Sequence, residues 1–135
     1  MAVFNKFNAF VEAFAEKKHN LGSDQLKIAL SNTLPVAGNS ILTDITQIAY
    51  TNLSAREVTT SSSAQTGGTY KLTLADLLLT ASGNVATFRY VILYNDTATD
   101  DDLIGWWDYG SALTMVNLDE LTIDFSAANG VLQIV

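Results

Sequence analysis

The sequence predicts a mainly β protein, an antiparallel β-sandwich or small barrel with one amphipathic N-terminal helix. The segment Phe88–Tyr109 is the densest apolar and aromatic stretch of the chain. Short alternating segments separated by turn residues follow one another from Gln25 to the end, a pattern typical of antiparallel sheets. Sustained helical periodicity is confined to the N-terminus. With 135 residues and 48% hydrophobic content, we expect a single domain, 1–135, with a sizeable core.

The charge content suggests an assembly. Only 16% of the residues are charged, whereas a solitary soluble domain typically carries about 25%. We therefore expect part of the apolar surface to be buried against other subunits. The net charge of −7 arises in the second half of the chain, which contains nine acidic residues and only two basic ones, Lys71 and Arg89. Nucleic-acid binding needs clustered cations, and this distribution excludes it.

Composition also bounds the cellular context. The chain has no cysteine, which excludes disulfides and thiolate metal sites. Polar residues interrupt the N-terminal apolar residues, unlike in a signal peptide. No segment approaches the roughly 20 apolar residues needed to span a bilayer. A soluble protein, or a subunit of a soluble assembly, is expected.

The N-terminal segment, residues 3–18, has helical period. Lys17 and Lys18 suit the negative end of a helix dipole, and Asn20–Gly22 predicts the stop. The apolar face packs either on the sheet of its own domain or on a neighbouring subunit. A membrane-surface helix is disfavoured because the polar face has no basic excess. The apolar stripe comprises Phe4, Phe7, Phe10, Val11 and Phe14.

Several strands are predicted before the central segment. Gln25–Leu30 alternates and is the first strand. Residues 41–49 have the spacing of a short helix or turn. Val58–Ser63 fits an edge strand, Gly67–Gly68 a turn, and Thr69–Ala75 a half-buried strand. A short apolar run, Leu77–Leu79, follows.

The central segment predicts an antiparallel pair. Residues 88–94 are apolar on both strand faces, which is typical of a strand covered on each side. After the polar loop Asn95–Asp102, a second run begins at Leu103. Further strands are predicted at Ala112–Val116 and Leu118–Phe125. Asn129–Gly130 signals a hairpin turn, after which Val131–Val135 closes the sheet.

The polar residues offer few chemical sites. Asp100–Asp102, with Asp96 nearby, is the only carboxylate cluster, and it fits a solvated loop tip better than a weak cation site. His19 follows two lysines, and nothing in its spacing indicates a catalytic dyad. The carboxylates that remain for a paired acid and base are Asp108, Asp119, Glu120 and Asp124, in outward or turn positions. No catalytic, cofactor-binding or metal-binding residues are predicted, and no enzyme.

Trp106 and Trp107, with Tyr109, suggest an aromatic platform for a sugar. Adjacent strand residues point to opposite faces, so the two tryptophans cannot form one flat platform. Packing in the core or at an interface is the favoured interpretation. The candidate interface residues are Phe4, Phe7, Phe14, Trp106 and Trp107.

Several separate segments resemble, in the same order, a family of small virion structural proteins of tailed bacteriophages. They are Asn20–Asp24 leading into LKIALSNT, Ser63–Leu72, FRYVILYNDTAT, LIGWWDYGSALTM and LTIDFSAANGVL. The resemblance covers residues 4–135. It implies a head decoration (cement) protein, or else a tail or head–tail accessory or fibre subunit. It implies no catalytic residues.

The resemblance also sets expectations for partners. The partners are the major capsid protein and further copies of the chain, with a trimer as the expected oligomer. The protein is expected in the phage particle after synthesis in the host cytoplasm. A carbohydrate-binding adsorption module is the alternative from another functional class.

Overall fold

The structure, a computed structural model, describes residues 2–135 and is mainly β with one short N-terminal helix, as predicted. The strands are β1 Asn5–Lys6, β2 Leu26–Ser31, β3 Glu57–Val58, β4 Thr60–Thr66, β5 Thr69–Leu74, β6 Leu77–Thr80, β7 Phe88–Asn95, β8 Leu103–Leu113, β9 Glu120–Ile123 and β10 Leu132–Ile134; helix α1 is Asn8–Ala15 and a 3-10 turn covers Leu42–Asp44.

The strands form three antiparallel sheets. The five-stranded sheet has the order β1-β8-β7-β2-β3, the second sheet β10-β5-β4 and the third β6-β9. Every sheet has open edges, so the architecture is sandwich-like and the small closed barrel is not formed.

The predicted central pair is confirmed. Strand β7 pairs with β8 from Tyr94 opposite Leu103 to Phe88 opposite Leu113. On its other edge, β7 pairs with β2, and every residue of β2 takes part in this pairing. All of β7 except Arg89 is buried, because it lies in the middle of the largest sheet. The apolar residues on both its faces follow from this position.

Each face of the five-stranded sheet supports its own apolar cluster. Alternate residues of β2 point to opposite faces, so Ile28 belongs to one cluster and Ala29 to the other. The smaller sheets cover the first face. Phe7, which immediately precedes α1, and the region of the 3-10 turn cover the second, whereas Phe10 of α1 belongs to the first cluster. The main cluster includes Leu26, Leu30, Leu72, Leu74, Leu79, Leu93 and Phe125, and the second includes Phe7, Ile45, Ile92, Tyr94 and Leu103.

The predicted turn at Gly67–Gly68 joins β4 to β5. Both glycines have positive φ angles, 58° and 86°, and the pair Thr66–Thr69 closes the hairpin. Two central residues of positive φ match the twist of the flanking strands. Strand β4 is an edge strand, as predicted, but the predicted bounds Val58–Ser63 are wrong: Val58 belongs to β3 in another sheet, and β4 runs from Thr60 to Thr66.

The helix predicted over residues 3–18 is wrong in its extent. Asn5 and Lys6 are extended and pair with Trp106 and Gly105, and the Phe7 N–H donates to the Ile104 carbonyl at 3.2 Å. The spacing of three between Phe4 and Phe7 also fits a junction between a strand and a helix. Here the backbone hydrogen bonds are made to β8 and not within a helix. The helix ends at Ala15 because Lys17 takes a left-handed conformation, φ 68°.

Residues 41–49 form only the 3-10 turn. The Asp44 carboxylate accepts hydrogen bonds from the N–H groups of Ser40 at 2.9 Å and Ile41 at 3.2 Å. These bonds fix a single turn, and they lower the pKa of Asp44. Beyond it, Gln47 bridges to Ser31 at the end of β2, which keeps the segment extended.

The predicted C-terminal hairpin is also wrong. Strand β9 pairs with β6, whereas β10 pairs with β5, so Asn129–Gly130 does not join paired strands. Gly130 has φ 71°, and a Cβ there would lie 2.6 Å from the Leu72 carbonyl oxygen. The glycine serves a close backbone approach instead. The strand predicted at Ala112–Val116 is only the end of β8, which stops at Leu113.

Candidate functional site: an aromatic groove

A cavity of about 590 Å³ opens between β8, β9 and the chain before β10. Its apolar side chains come from four distant parts of the sequence. We call this cavity the aromatic groove and define it by Phe4, Trp107, Tyr109, Ile123, Phe125 and Val131. It is a concave and mainly apolar surface, the kind at which ligands or partner segments bind.

Trp107 lies at the centre of the groove, with aromatic rings on two sides. Its ring centroid is 5.2 Å from that of Phe4 and 5.6 Å from that of Phe125, and both pairs are tilted. Tilted pairs at these distances are favourable beyond their buried area. The groove wall is therefore preorganised.

Phe4 reaches this wall because Gly105 has no side chain. A Cβ on Gly105 would overlap the Phe4 ring and lie 2.8 Å from the Asn5 carbonyl oxygen. Gly105 and Trp107 point to the same face of β8 because they are two residues apart. The sequence of β8 thus admits the N-terminal segment to the groove.

Tyr109 lies at the mouth of the groove and is 53% exposed. It follows Asp108, which accepts hydrogen bonds from Arg89 Nε at 2.8 Å and Nη2 at 3.0 Å. The Gly110 N–H also donates to Asp108, at 2.8 Å, and Gly110 has φ 98°. The Arg89 hydrogen bond, with that from Gly110, lowers the pKa of the Asp108 carboxyl. This anchored kink leaves Tyr109 facing outward.

The rim of the groove is polar and its one ionisable carboxylate is that of Asp124. Thr122, Ser126 and Asn129 contribute neutral polar groups. None of the residues that line the groove is a lysine or an arginine. The groove therefore combines an apolar wall with a rim that carries one negative charge.

The five candidate interface residues do not form one surface. Phe4 and Trp107 share the groove. Trp106 points to the other face of the sheet, where its ring centroid is 4.6 Å from that of Phe7. Phe7 is fully buried within the chain, so it has no area to offer to a neighbour. Phe14 is 39% exposed on the helix and contacts Phe10.

The acidic loop is only partly solvated. Asp100 is exposed, in agreement with a solvated loop tip, but Asp102 departs from that prediction: it is buried and lies 4.0 Å from the Lys18 ammonium. Burial, with the nearby Asp96, raises the pKa of Asp101, which adopts φ 54°. Within residues 2–135, no group of three or more His, Asp or Glu side chains is arranged to hold a metal ion.

His19 is a buried packing residue. Its Nδ1 lies 3.0 Å from Asn95 Nδ2, which also donates to Asp24 at 2.6 Å. An amide nitrogen can only donate, so Nδ1 accepts and the neutral ring carries its proton on Nε2. Burial lowers the pKa of His19, and the charges of Asp102 and Asp24 offset part of this effect. Its Nε2 is buried without a hydrogen-bond partner.

Sequence reasoning missed the groove as a site. Trp107 and Tyr109 are two residues apart on one strand, and this spacing could have shown that they share a face. The contribution of Phe125 and Val131 could not be seen, since it depends on β9 and β10 joining different sheets.

Comparison with protein-family models, with curated proteins and with solved structures finds no match to this chain. No helix of the described residues is long and apolar enough to cross a membrane.

Proposed function

We propose that this chain is a structural protein of a tailed bacteriophage particle, a capsid decoration protein that binds and stabilises the assembled head. The observation that carries the proposal is the aromatic groove, a preorganised apolar surface with no catalytic group at its centre. The ordered resemblance of several sequence segments to phage virion proteins supports the same assignment. A decoration protein needs a rigid body and a surface that becomes buried on assembly.

The groove specifies the chemistry of the partner segment. Its wall would bury apolar side chains against Trp107 and Tyr109, and its rim would meet a lysine or arginine through Asp124. We assign this segment to the major capsid protein. A protein that binds only the assembled capsid shifts the assembly equilibrium towards it by mass action. To stabilise the head in this way, the protein needs only to bind the assembled capsid and needs no catalytic activity.

The location is tested by the copy number in purified particles, measured by quantitative mass spectrometry against the major capsid protein. A symmetric covering of the head gives a ratio of about one, or about one third. A ratio of a few per cent would place the protein in the tail or neck, the second virion role that the resemblance implies. Absence from particles would overturn both.

The groove is tested by adding purified protein to particles that lack it. Tyr109→Ala removes an exposed aromatic anchor from the groove without opening the core, and we expect capsid affinity to fall about tenfold or more. Val116→Ala is the matched control, because Val116 is 49% exposed and lies outside the groove. Equal affinities for the two variants would contradict docking through the groove.

A second candidate function is glycan binding during adsorption. It is favoured by Tyr109, which lies with Asp124 and Asn129 in one groove, because sugars bind to aromatic faces flanked by hydrogen-bonding groups. The aromatic neighbours on two sides of Trp107 argue against this ring as an open platform. Binding to a glycan array that Tyr109→Ala abolishes would support this function in place of capsid decoration.

A further inference from the structure

Strand β4 presents an open sheet edge seven residues long. Its residues pair with β5 alone, and no other backbone group of the described chain forms a hydrogen bond to Thr60–Thr66. Thr66 and Thr69 close the two-residue turn as a hydrogen-bonded pair. In an antiparallel ladder, alternate residues direct their backbone groups towards the partner strand and away from it. Because Thr66 points towards β5, the N–H and C=O groups of Gln65 and Ser63 point away from it. These groups are available to a further strand.

This edge lacks the usual protection. Natural edge strands are shortened, charged, interrupted by proline or twisted by bulges, because an exposed ladder pairs with other chains. Residues 59–70 contain no charged residue and no proline. The one register shift, between Thr60 and Ser62, leaves the rest of β4 regular. By contrast, β1 and β3 have two residues each, and β8 kinks at Gly110 beside the Arg89–Asp108 pair.

We propose that β4 is a self-association edge, at which it pairs antiparallel with β4 of a second copy of this chain. Charge favours a second copy as the occupant. The net charge of −7 arises entirely in residues 71–135, so two copies repel where those acidic residues face each other, and the uncharged run 59–70 is where they can approach. The edge also carries no charge that would select an oppositely charged partner.

The pairing has a defined register. Antiparallel pairing of Thr60–Thr66 with itself overlaps fully when the twofold axis passes through Ser63. Ser63 then exchanges both backbone hydrogen bonds with Ser63 of the second copy, and Ser62 lies opposite Ala64 of the second copy. Small side chains along β4 permit this approach. The result is one continuous six-stranded sheet built from β10, β5 and β4 of each copy.

The dimer does not depend on capsid binding, and it differs from the trimer that the sequence resemblance implies. Sedimentation velocity and native mass spectrometry of the full chain test it, over about a hundredfold range of protein concentration. We expect reversible formation of a species of twice the 14.6 kDa chain mass. A monomer or a trimer throughout the range would overturn the proposal.

Two double variants test the register. Ser62→Glu with Ala64→Glu places like charges opposite each other across the twofold axis, and we expect the dimer Kd to rise at least about tenfold. Ser62→Lys with Ala64→Glu is the matched control, since it places opposite charges there and retains the dimer. Both positions are exposed, and a glutamate at 64 faces Lys71 within the hairpin, so the fold is kept. Equal dissociation of the two variants would contradict this register.

Amide hydrogen exchange of the wild-type chain provides a test that needs no substitution. The outward N–H groups of Ser63 and Gln65 should become protected as the concentration rises, while the inward groups of β4 stay protected throughout. Protection that appears only when capsids are added would mean that a capsid strand pairs with this edge. That result would overturn self-association.

Discussion

The hydroxyl oxygen of Tyr50 accepts a hydrogen bond from the Leu30 N–H at 3.0 Å, where a further strand would otherwise pair with β2. Strand β3 pairs with β2 only at Leu26 and Lys27. Beyond these residues, Ile28 bonds to the Arg56 carbonyl, and the Arg56 guanidinium lies 3.6 Å from the centre of the Tyr50 ring. The Tyr50 side chain and the backbone of Ile48 and Arg56 therefore close the edge of β2, in contrast to the open edge of β4.

We expect Tyr50→Phe to lower the free energy of unfolding by about 1–3 kcal/mol, because the buried Leu30 N–H loses its acceptor. Urea denaturation followed by far-UV circular dichroism measures the change. Tyr109→Phe is the control: its hydroxyl is at an exposed position, so the change should stay within about 0.5 kcal/mol. Equal losses in the two variants would contradict the role of the Tyr50 hydroxyl.

His19 should make the fold acid-sensitive. Its folded-state pKa is lowered below 6.5 by burial, so as the pH falls through 6.5 the unfolded chain binds a proton first. Stability is therefore full above pH 6.5 and falls as the pH approaches the lowered pKa of the folded state. Protonation of Nδ1 would also break the hydrogen bond from Asn95.

The acid sensitivity is measured by urea unfolding at a series of pH values. Lys18, Asp24 and Asp102 also surround the ring, so the comparison is between the wild-type chain and His19→Phe, in which those groups remain. We expect the decline just below pH 6.5 to be absent from the variant. The same slope in both proteins would rule out His19 as its source.

Gly130→Ala should destabilise the protein by about 1–3 kcal/mol, since the position has a positive φ and a close backbone contact. Gly38→Ala is a matched control, because a Cβ there meets no atom within 4 Å. Its effect should stay within about 0.5 kcal/mol. Thermal denaturation of both variants measures the difference, and a tolerant Gly130 would contradict the contact with Leu72.

Gly105→Ala should displace the segment from Ala2 to Lys6 from β8, because the new methyl group overlaps the Phe4 ring. Hydrogen exchange at the Phe7 amide, which donates to Ile104, should accelerate. Gly22→Ala, where a Cβ makes only ordinary contacts, should leave that exchange rate unchanged. An unchanged rate in Gly105→Ala would mean that Phe4 does not anchor the segment.

The sequence predicted the strands best where local pattern and tertiary pairing agree. Residues 88–94 are apolar on both faces, and Gly67–Gly68 has few alternatives to a tight turn, so both were predicted correctly. The extent of α1 was mispredicted because Phe4 and Phe7 have helical spacing but gain more by pairing and packing along β8. A long-range pairing of this kind overrides local periodicity, which cannot show it.

In the candidate site, too, the sequence predicts what local strand geometry decides and misses what long-range pairing decides. The opposite orientations of Trp106 and Trp107 followed from strand geometry alone. The groove did not, because Phe125 and Val131 reach it only through the separation of β9 and β10 into different sheets. A strong turn signal at Asn129–Gly130 predicted the wrong partner for β10, since a glycine needed for close approach looks the same in sequence as one needed for a hairpin.

The adjacent tryptophans give the protein two optical reporters on opposite sides of one sheet. Trp107 lies against Phe4 and Phe125 in the groove, and Trp106 lies against Phe7 on the far face. A ligand in the groove would change the emission of one indole and leave the other as an internal reference. Single-tryptophan forms of the chain would thus report separately on the groove and on the far face of the sheet.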